Sequence, residues 1–416
     1  MLRRILLSIF VLLAAGLLVV GWYAYNKGFT RKWRELVTNE FRKRDVELSM
    51  RRLTLEPFRG IVAKEVKVYE KRGRKRTVAV VDEVRLVINY ANLFRGKTFI
   101  DALDLRDANL DVPVDPAQRN SPKIEIRHLS GRLFLPPQQI YLSRLEAEVY
   151  GLRLRASGRV INPQAFRFLK TKDGEKEGEY VELARQIIDE IKALNFEGNA
   201  PQIDLRFSGD LAEPEKVFIE ATLWAEKLRR GNYLLENLYI DVGFRDGVVR
   251  LRQLAATDSA GNIRASGNYD LDSREAALEL RSSLDVQGLV RSIVRVPEIE
   301  EAVFYAPPAI NLNARATFDD TPHFQIVGHL DQGKFAFKSV IFDGFKADLS
   351  WDGDRWSAID VRVAHRTGEI TGDVLSLPGD FRTRMKSSIN PKVLAPLLSG
   401  RAAEWFRQFD FFESAK

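Results

Sequence analysis

The chain of 416 residues contains no cysteine and only four histidines, His128, His323, His329 and His365. The lack of cysteine excludes disulfides, thiolate metal sites, iron–sulfur clusters and cysteine nucleophiles. The scarcity of histidine leaves little material for general-base or metal chemistry. Hydrophobic residues make up 45% of the chain, which is ample for a buried core. This composition favours a binding or structural protein over an enzyme, and we expect no cofactor.

Positive charge is concentrated near the N-terminus. Residues 27–76 hold 17 Lys and Arg against 7 Asp and Glu. The whole chain has a net charge of +7, so the part after residue 76 is mildly acidic. The basic overall balance therefore does not indicate a nucleic-acid partner, and we predict none.

A long uncharged run occurs at the N-terminus. Residues 5–25 carry no charge, and a helix of that length spans the roughly 30 Å of a bilayer core. Trp22, Tyr23 and Tyr25 stand at its end, where aromatic rings favour the membrane interface. We predict a cytoplasmic tip and transmembrane anchor over residues 1–26. A cleaved signal peptide is the alternative, but the run is too long and lacks a terminal small-x-small site.

The next segment, residues 27–50, is predicted to be a basic amphipathic helix. Arg31, Lys32, Trp33 and Arg34 would lie near lipid headgroups if the helix follows an anchor. Packing as an ordinary first helix on the domain fits the pattern equally well, and both readings stay open. Charge counting places the following domain in the cytoplasm, but long domains are translocated largely regardless of charge, so the orientation also stays open.

From residue 51 onward the dominant apolar period is two, with turn signals such as Asp246-Gly247 between the runs. This pattern predicts a mainly β domain over residues 51–416, an elongated antiparallel meander whose strands have one apolar face. Helical spacing interrupts it near residues 179–195, 286–305 and 391–412.

An internal repeat suggests that the domain is built from stacked units. Sixteen residues separate Gly267 from Ser283 in one copy and Gly372 from Ser388 in the other. The copies lie 105 residues apart, and units of this kind bury one face only against their neighbours.

Two motifs suggest chemistry but lack its context. Residues 91–98 fit a relaxed phosphate loop, yet the segment that follows alternates like a strand, so we interpret them as a turn. His323 and His329 would share a strand face, but no third ligand is spaced to complete a metal site. We therefore interpret the two histidines as solvated strand residues and predict no metal site.

Three stretches, residues 53–69, 81–88 and 93–105, together with the layout of anchor, basic helix and strands, resemble the opening of AsmA-like proteins. The resemblance implies a bacterial inner-membrane protein with a single span and its body in the periplasm. It also implies a curved β-sheet trough with an apolar interior, and a part in phospholipid transport or in outer-envelope maintenance.

A sheet with one apolar face must cover that face or leave it available to a ligand. The expected partners are the inner membrane and phospholipids, held by alternating groove residues: Val84, Leu86, Ile88, Leu103, Leu105, Ile124 and Ile126. Which alternate set faces inward is left open. The alternative function is an anchored scaffold for envelope proteins without a lipid cargo, docking through the C-terminal aromatics Trp405, Phe406 and Phe409.

Overall fold

The computed structural model describes residues 29–43, 47–56, 60–69, 77–113, 123–162, 185–186, 188–213, 216–293, 301–319, 321–398, 400–406 and 408. The predicted anchor, with Trp22, Tyr23 and Tyr25, lies outside these residues. Within them, no helix combines the length and the apolar character that crossing a bilayer requires. The fold is mainly β, as predicted.

Twenty-three strands are assigned in the described part of the chain. The first nine are β1 (Glu47–Glu56), β2 (Gly60–Tyr69), β3 (Thr77–Ile88), β4 (Ile100–Pro113), β5 (Lys123–Phe134), β6 (Gln139–Val149), β7 (Leu152–Ile161), β8 (Asn195–Glu197) and β9 (Gln202–Asp210). The next seven are β10 (Phe218–Arg230), β11 (Tyr233–Arg245), β12 (Val248–Thr257), β13 (Asn262–Asp270), β14 (Glu275–Ser282), β15 (Ala302–Phe304) and β16 (Ala309–Thr317). The last seven are β17 (His323–Gln332), β18 (Phe335–Phe337), β19 (Val340–Phe342), β20 (Gly344–Asp352), β21 (Arg355–His365), β22 (Gly368–Leu377) and β23 (Asp380–Ser387).

Helices are few and short among the described residues. Those whose full ranges are described are α1 (Arg31–Arg42), α2 (Tyr90–Phe94), α3 (Val286–Ile293), α4 (Pro391–Leu394) with a 3₁₀ turn over Ala395–Leu397, and α5 (Gly400–Phe406); residues 185–186 and 188–193 are also helical. The basic helix is shorter than predicted, because residues 47–50 already belong to β1. Residues 302–304 of the predicted second helical insertion form β15, and residues 188–193 of the first are helical.

The region predicted as one domain divides into two compact units. The first comprises residues 1–193 and 202–219, and the second comprises residues 194–201 and 220–416. In the first unit, β1 to β7 pair in chain order as an antiparallel meander. Strand β9 then joins β7 in parallel, which departs from the purely antiparallel prediction.

The second unit contains a longer meander. Strands β11, β12, β13, β14, β16, β17, β20, β21, β22 and β23 pair antiparallel in that order. Short strands β15, β18 and β19 form a separate three-stranded sheet. At the β11–β12 hairpin, Asp246 and Gly247 have φ values of 51° and 74°, as a type I′ turn requires.

The internal repeat is a hydrogen-bonded corner at the end of two hairpins. The Ser283 hydroxyl accepts the backbone N–H of Asn262 at 3.1 Å, and the Ser388 hydroxyl accepts that of Glu369 at 2.9 Å. After each serine a buried apolar residue, Leu284 or Ile389, precedes the start of a helix. The two copies thus fix a strand end to a helix start in the same way.

The sequence spacing matched Gly267 with Gly372, but these two glycines do not occupy equivalent positions in the two corners. Gly267 lies opposite Leu278, whereas Gly372 lies opposite Met385, so their registers differ by two residues. The equivalent residues are Gly261 and Gly368, which immediately precede β13 and begin β22. An added Cβ at Gly261 would lie 2.1 Å from the Ser283 carbonyl oxygen, and one at Gly368 would lie 2.4 Å from that of Ser388.

We expect Gly261→Ala to weaken its corner by about 1–3 kcal/mol, because backbone must move to admit the methyl group. Hydrogen exchange of the β13 and β14 amides measures the local opening free energy directly. Gly333→Ala is the matched control, since its Cβ would meet its nearest neighbour at an ordinary 3.5 Å. Equal protection in the two variants would contradict the proposed close approach.

Candidate functional site

Each unit places apolar side chains in register on one face of its sheet. Residues directly opposite each other on paired strands point to the same face. In the first unit one such row crosses seven strands: Leu53, Ala63, Val84, Leu105, Gly131, Leu145 and Ala156. Glycine occurs at 131 because a Cβ there would lie 2.3 Å from the Arg144 carbonyl oxygen.

The second unit carries a longer row, in which every residue except Gly267 and Ser376 has an apolar side chain. It crosses ten strands through Val242, Leu251, Gly267, Leu278, Ala314, Ile326, Trp351, Trp356, Ser376 and Phe381. None of these ten residues is buried, and Leu278, Trp351, Trp356 and Phe381 are exposed. The described residues therefore provide no second layer over this row.

Bulges keep the apolar residues on one face. Glu65, Asp107 and His128 have φ near +50°, an uncommon conformation for residues other than glycine. The register between β4 and β5 shifts around Asp107, so Leu105 and Leu110 belong to the same apolar cluster although they are five positions apart. Such bulges also bend the strands that contain them.

Helix α1 covers one side of the first unit's apolar face. Its buried Val37 and Phe41 join the core cluster of the sheet, while Trp33 and Leu36 remain exposed. This packing supports the reading of residues 31–42 as the first helix of the domain. Arg34 Nη1 donates to the Arg51 carbonyl oxygen at 2.8 Å, and Arg31 pairs with Glu35 at 2.8 Å.

Beside this helix the face opens into a cavity of about 1570 Å³, above the roughly 300–1,000 Å³ of small-molecule pockets. Its walls are mainly apolar, and polar residues are among those that line it. The apolar lining is Phe41, Leu48, Met50, Ala63, Val66, Val68, Val81, Val84, Leu86, Ile100, Leu103, Leu105, Leu133, Phe134, Leu135, Pro136, Pro137, Ile140 and Tyr141. The remaining lining residues are Lys43, Asn92, Lys97, Thr98, Asp101, Gln138, Gln139 and Arg159.

Four of the seven predicted groove residues line this cavity: Val84, Leu86, Leu103 and Leu105. Ile88 and Ile126 pack against the same apolar cluster without lining the cavity. Ile124 is half-buried and lies opposite Val112. The prediction missed the β5–β6 contribution, including Phe134 and Ile140, because only the strand register shows that this hairpin faces the cavity.

Charged side chains lie on the face of the sheet opposite the cavity. Asp104, between Leu103 and Leu105, receives a hydrogen bond from Arg132 Nη2 at 2.9 Å and lies 3.8 Å from Arg85. The hydrogen bond from Arg132 lowers the pKa of Asp104 below its usual range, and it outweighs burial, which raises the pKa. The carboxylate therefore stays ionised while its neighbours in sequence remain apolar.

His323 and His329 are predicted to be solvated strand residues. Both are exposed on their strand, with His323 Nε2 2.8 Å from Asp352 and His329 Nδ1 2.7 Å from Asp348. No group of three potential metal ligands occurs among the described residues. Residues 91–98 contain the end of α2 and a turn that leads into β4.

The predicted docking aromatics lie at the C-terminus. Trp405 and Phe406 lie in α5, and the Phe406 side chain is half-buried and makes at least one interaction with another residue. Phe409 lies outside the described residues. Their part in partner docking stays a prediction.

Comparisons with protein-family models, with curated proteins and with solved structures each give no match.

One buried carboxylate fixes α1 beside the cavity. Glu40 Oε1 accepts the backbone N–H of Phe99 at 3.2 Å, and Glu40 is 1% exposed. We expect Glu40→Ala to destabilise the first unit by about 1–3 kcal/mol, because it leaves a buried N–H without this acceptor. The measurement is hydrogen exchange at Phe99 and in α1.

Glu35→Ala is the control for that prediction, because Glu35 lies on the same helix in an exposed pair with Arg31. Exposed pairs contribute little to stability. Similar protection of Phe99 in both variants would show that Glu40 does not hold the helix.

Proposed function

We propose that this chain binds the acyl chains of phospholipids on the apolar faces of its sheets and takes part in lipid transport or envelope maintenance. One observation carries the proposal: an apolar row crosses ten paired strands without a second layer among the described residues. Exposed apolar surface of that extent is typical of a binding surface. An acyl chain is suited to it, since each buried CH₂ contributes about 0.8 kcal/mol without needing a directed partner.

The cavity of the first unit supports the same ligand class. A phospholipid has long apolar chains and a charged headgroup, and the cavity combines a broad apolar wall with lysines. Lys43, Lys97 and Arg159 are the cations among its lining residues that could meet a phosphate, and Asn92 and Thr98 add hydrogen-bonding groups. None of these features requires a catalytic residue, so a non-enzymatic role is part of the proposal.

The cellular setting follows from the resemblance to AsmA-like proteins and from the uncharged run over residues 5–25. In this proposal the chain is held in a bacterial inner membrane by a single span, and its body lies in the periplasm. The apolar face of each unit would serve as a surface for lipid.

Photo-crosslinking on the full chain in cells tests the proposal at chosen residues. Neighbouring residues of β17 provide a matched pair, because half-buried Ile326 lies on the apolar row while exposed Val327 points to the other face. With benzoyl-phenylalanine at 326 we expect phospholipid adducts, identified by their mass. With the same group at 327 we expect almost none.

The first unit offers a second pair, with the crosslinker at Leu105 in the cavity or at exposed Val80 on the same sheet. Equal lipid adducts at the paired positions, or none at 105 and 326, would contradict the proposal. Protein adducts at 105 and 326 in place of lipid would favour the scaffold function instead.

A further inference from the structure

Helix α2 exposes two aromatic side chains that packing among the described residues does not explain. Phe94 is 86% exposed and is the most exposed large apolar side chain among the described residues. Tyr90 precedes it by one helical turn and is 58% exposed. Side chains four residues apart lie on the same side of a helix, so the two rings form one apolar projection.

The backbone of this segment is held by several hydrogen bonds. The Asn89 side chain caps the helix by accepting the Asn92 N–H at 3.1 Å, and Lys97 N–H donates to the Asn92 carbonyl at 3.0 Å. Leu93 packs against the core cluster of the first unit. The fold therefore fixes one side of the helix and presents Phe94 on the other.

The projection shares one end of the first unit with helix α1. Leu36 and Lys32 of α1 line a common cleft with Leu93, Gly96 and Lys97 of the α2 segment. Exposed Trp33 and Leu36 of α1 add to the apolar surface at this end. Lys32, Arg95 and Lys97 place cations beside these apolar tips, and Glu35, which also lines the cleft, is paired with Arg31.

We infer that helix α2 and the turn after it form a membrane-docking element, which places Phe94 and Tyr90 in the headgroup region of an anionic phospholipid bilayer. Exposed aromatics flanked by cations match the apolar boundary and the negative surface of such a bilayer. The chain supports this occupant, since the uncharged run over residues 5–25 ends four residues before Phe29, which itself contacts Trp33. The docking surface does not depend on lipid being held in the cavity or on the second unit.

The absence of cysteine allows a direct test on the full chain. Phe94→Cys and Val80→Cys each provide one labelling site for the environment-sensitive fluorophore NBD, and both parent side chains are exposed. The labelled proteins are reconstituted into nanodiscs of phosphatidylcholine alone or mixed with phosphatidylglycerol, with spin-labelled lipid as the quencher. We expect several-fold stronger quenching and a blue-shifted emission at 94 than at 80, with the larger effect in the anionic discs.

A further variant separates the contribution of the cations from that of the aromatic side chains. Arg95→Gln with Lys97→Gln, added to the Phe94→Cys chain, should reduce the difference between the two lipid compositions. Quenching at 94 no stronger than at 80 would overturn the inference, whether or not the chain enters the discs. Quenching at 94 without lipid crosslinking at 105 or 326 would leave the membrane contact standing while the proposed lipid-binding function fails.

Discussion

The structure depends on one constraint, the continuous register that joins apolar residues across many paired strands. Backbone hydrogen bonds are satisfied within each meander, but they do nothing for the side chains that the pleat directs to one face. Each Å² of apolar surface left in water forgoes about 25 cal/mol of stabilisation. A row through ten strands therefore leaves a surface that an apolar ligand can cover.

Local irregularities preserve that register. A strict period of two would turn the apolar residues of β4 to the other face between Leu105 and Leu110. The left-handed residue Asp107 absorbs the extra position and returns Leu110 to the apolar cluster. Gly131 has a related role, because only a residue without Cβ admits the Arg144 carbonyl. The continuous face is thus the combined result of alternation, bulges and one close backbone approach.

Much of the fold could be predicted from sequence because alternation and turn chemistry are local properties. The β class and the Asp246-Gly247 hairpin follow from such signals. The residues of each strand that face the apolar side could not be assigned, because no sequence signal around Asp107 predicts a bulge. Strand pairing also decides which hairpin reaches the cavity. The parallel β7–β9 contact and the equivalence of Gly261 with Gly368 also depend on strand register, which residue spacing alone did not reveal.

The two units present their apolar faces differently, and this difference bears on how a lipid would be held. In the first unit α1 covers part of the face, and the lining of the adjoining cavity includes Lys43 and Lys97. In the second unit none of the ten residues of the row is buried, and four of them are exposed. The contacts of an acyl chain with such a row are non-directional, so a shift by one CH₂ does not require any particular partner. A charged headgroup beside Lys97 has less freedom, because its attraction to the ammonium group falls with distance. Under the proposed function, the first unit therefore selects and orients a lipid, and the apolar row of the second permits its movement.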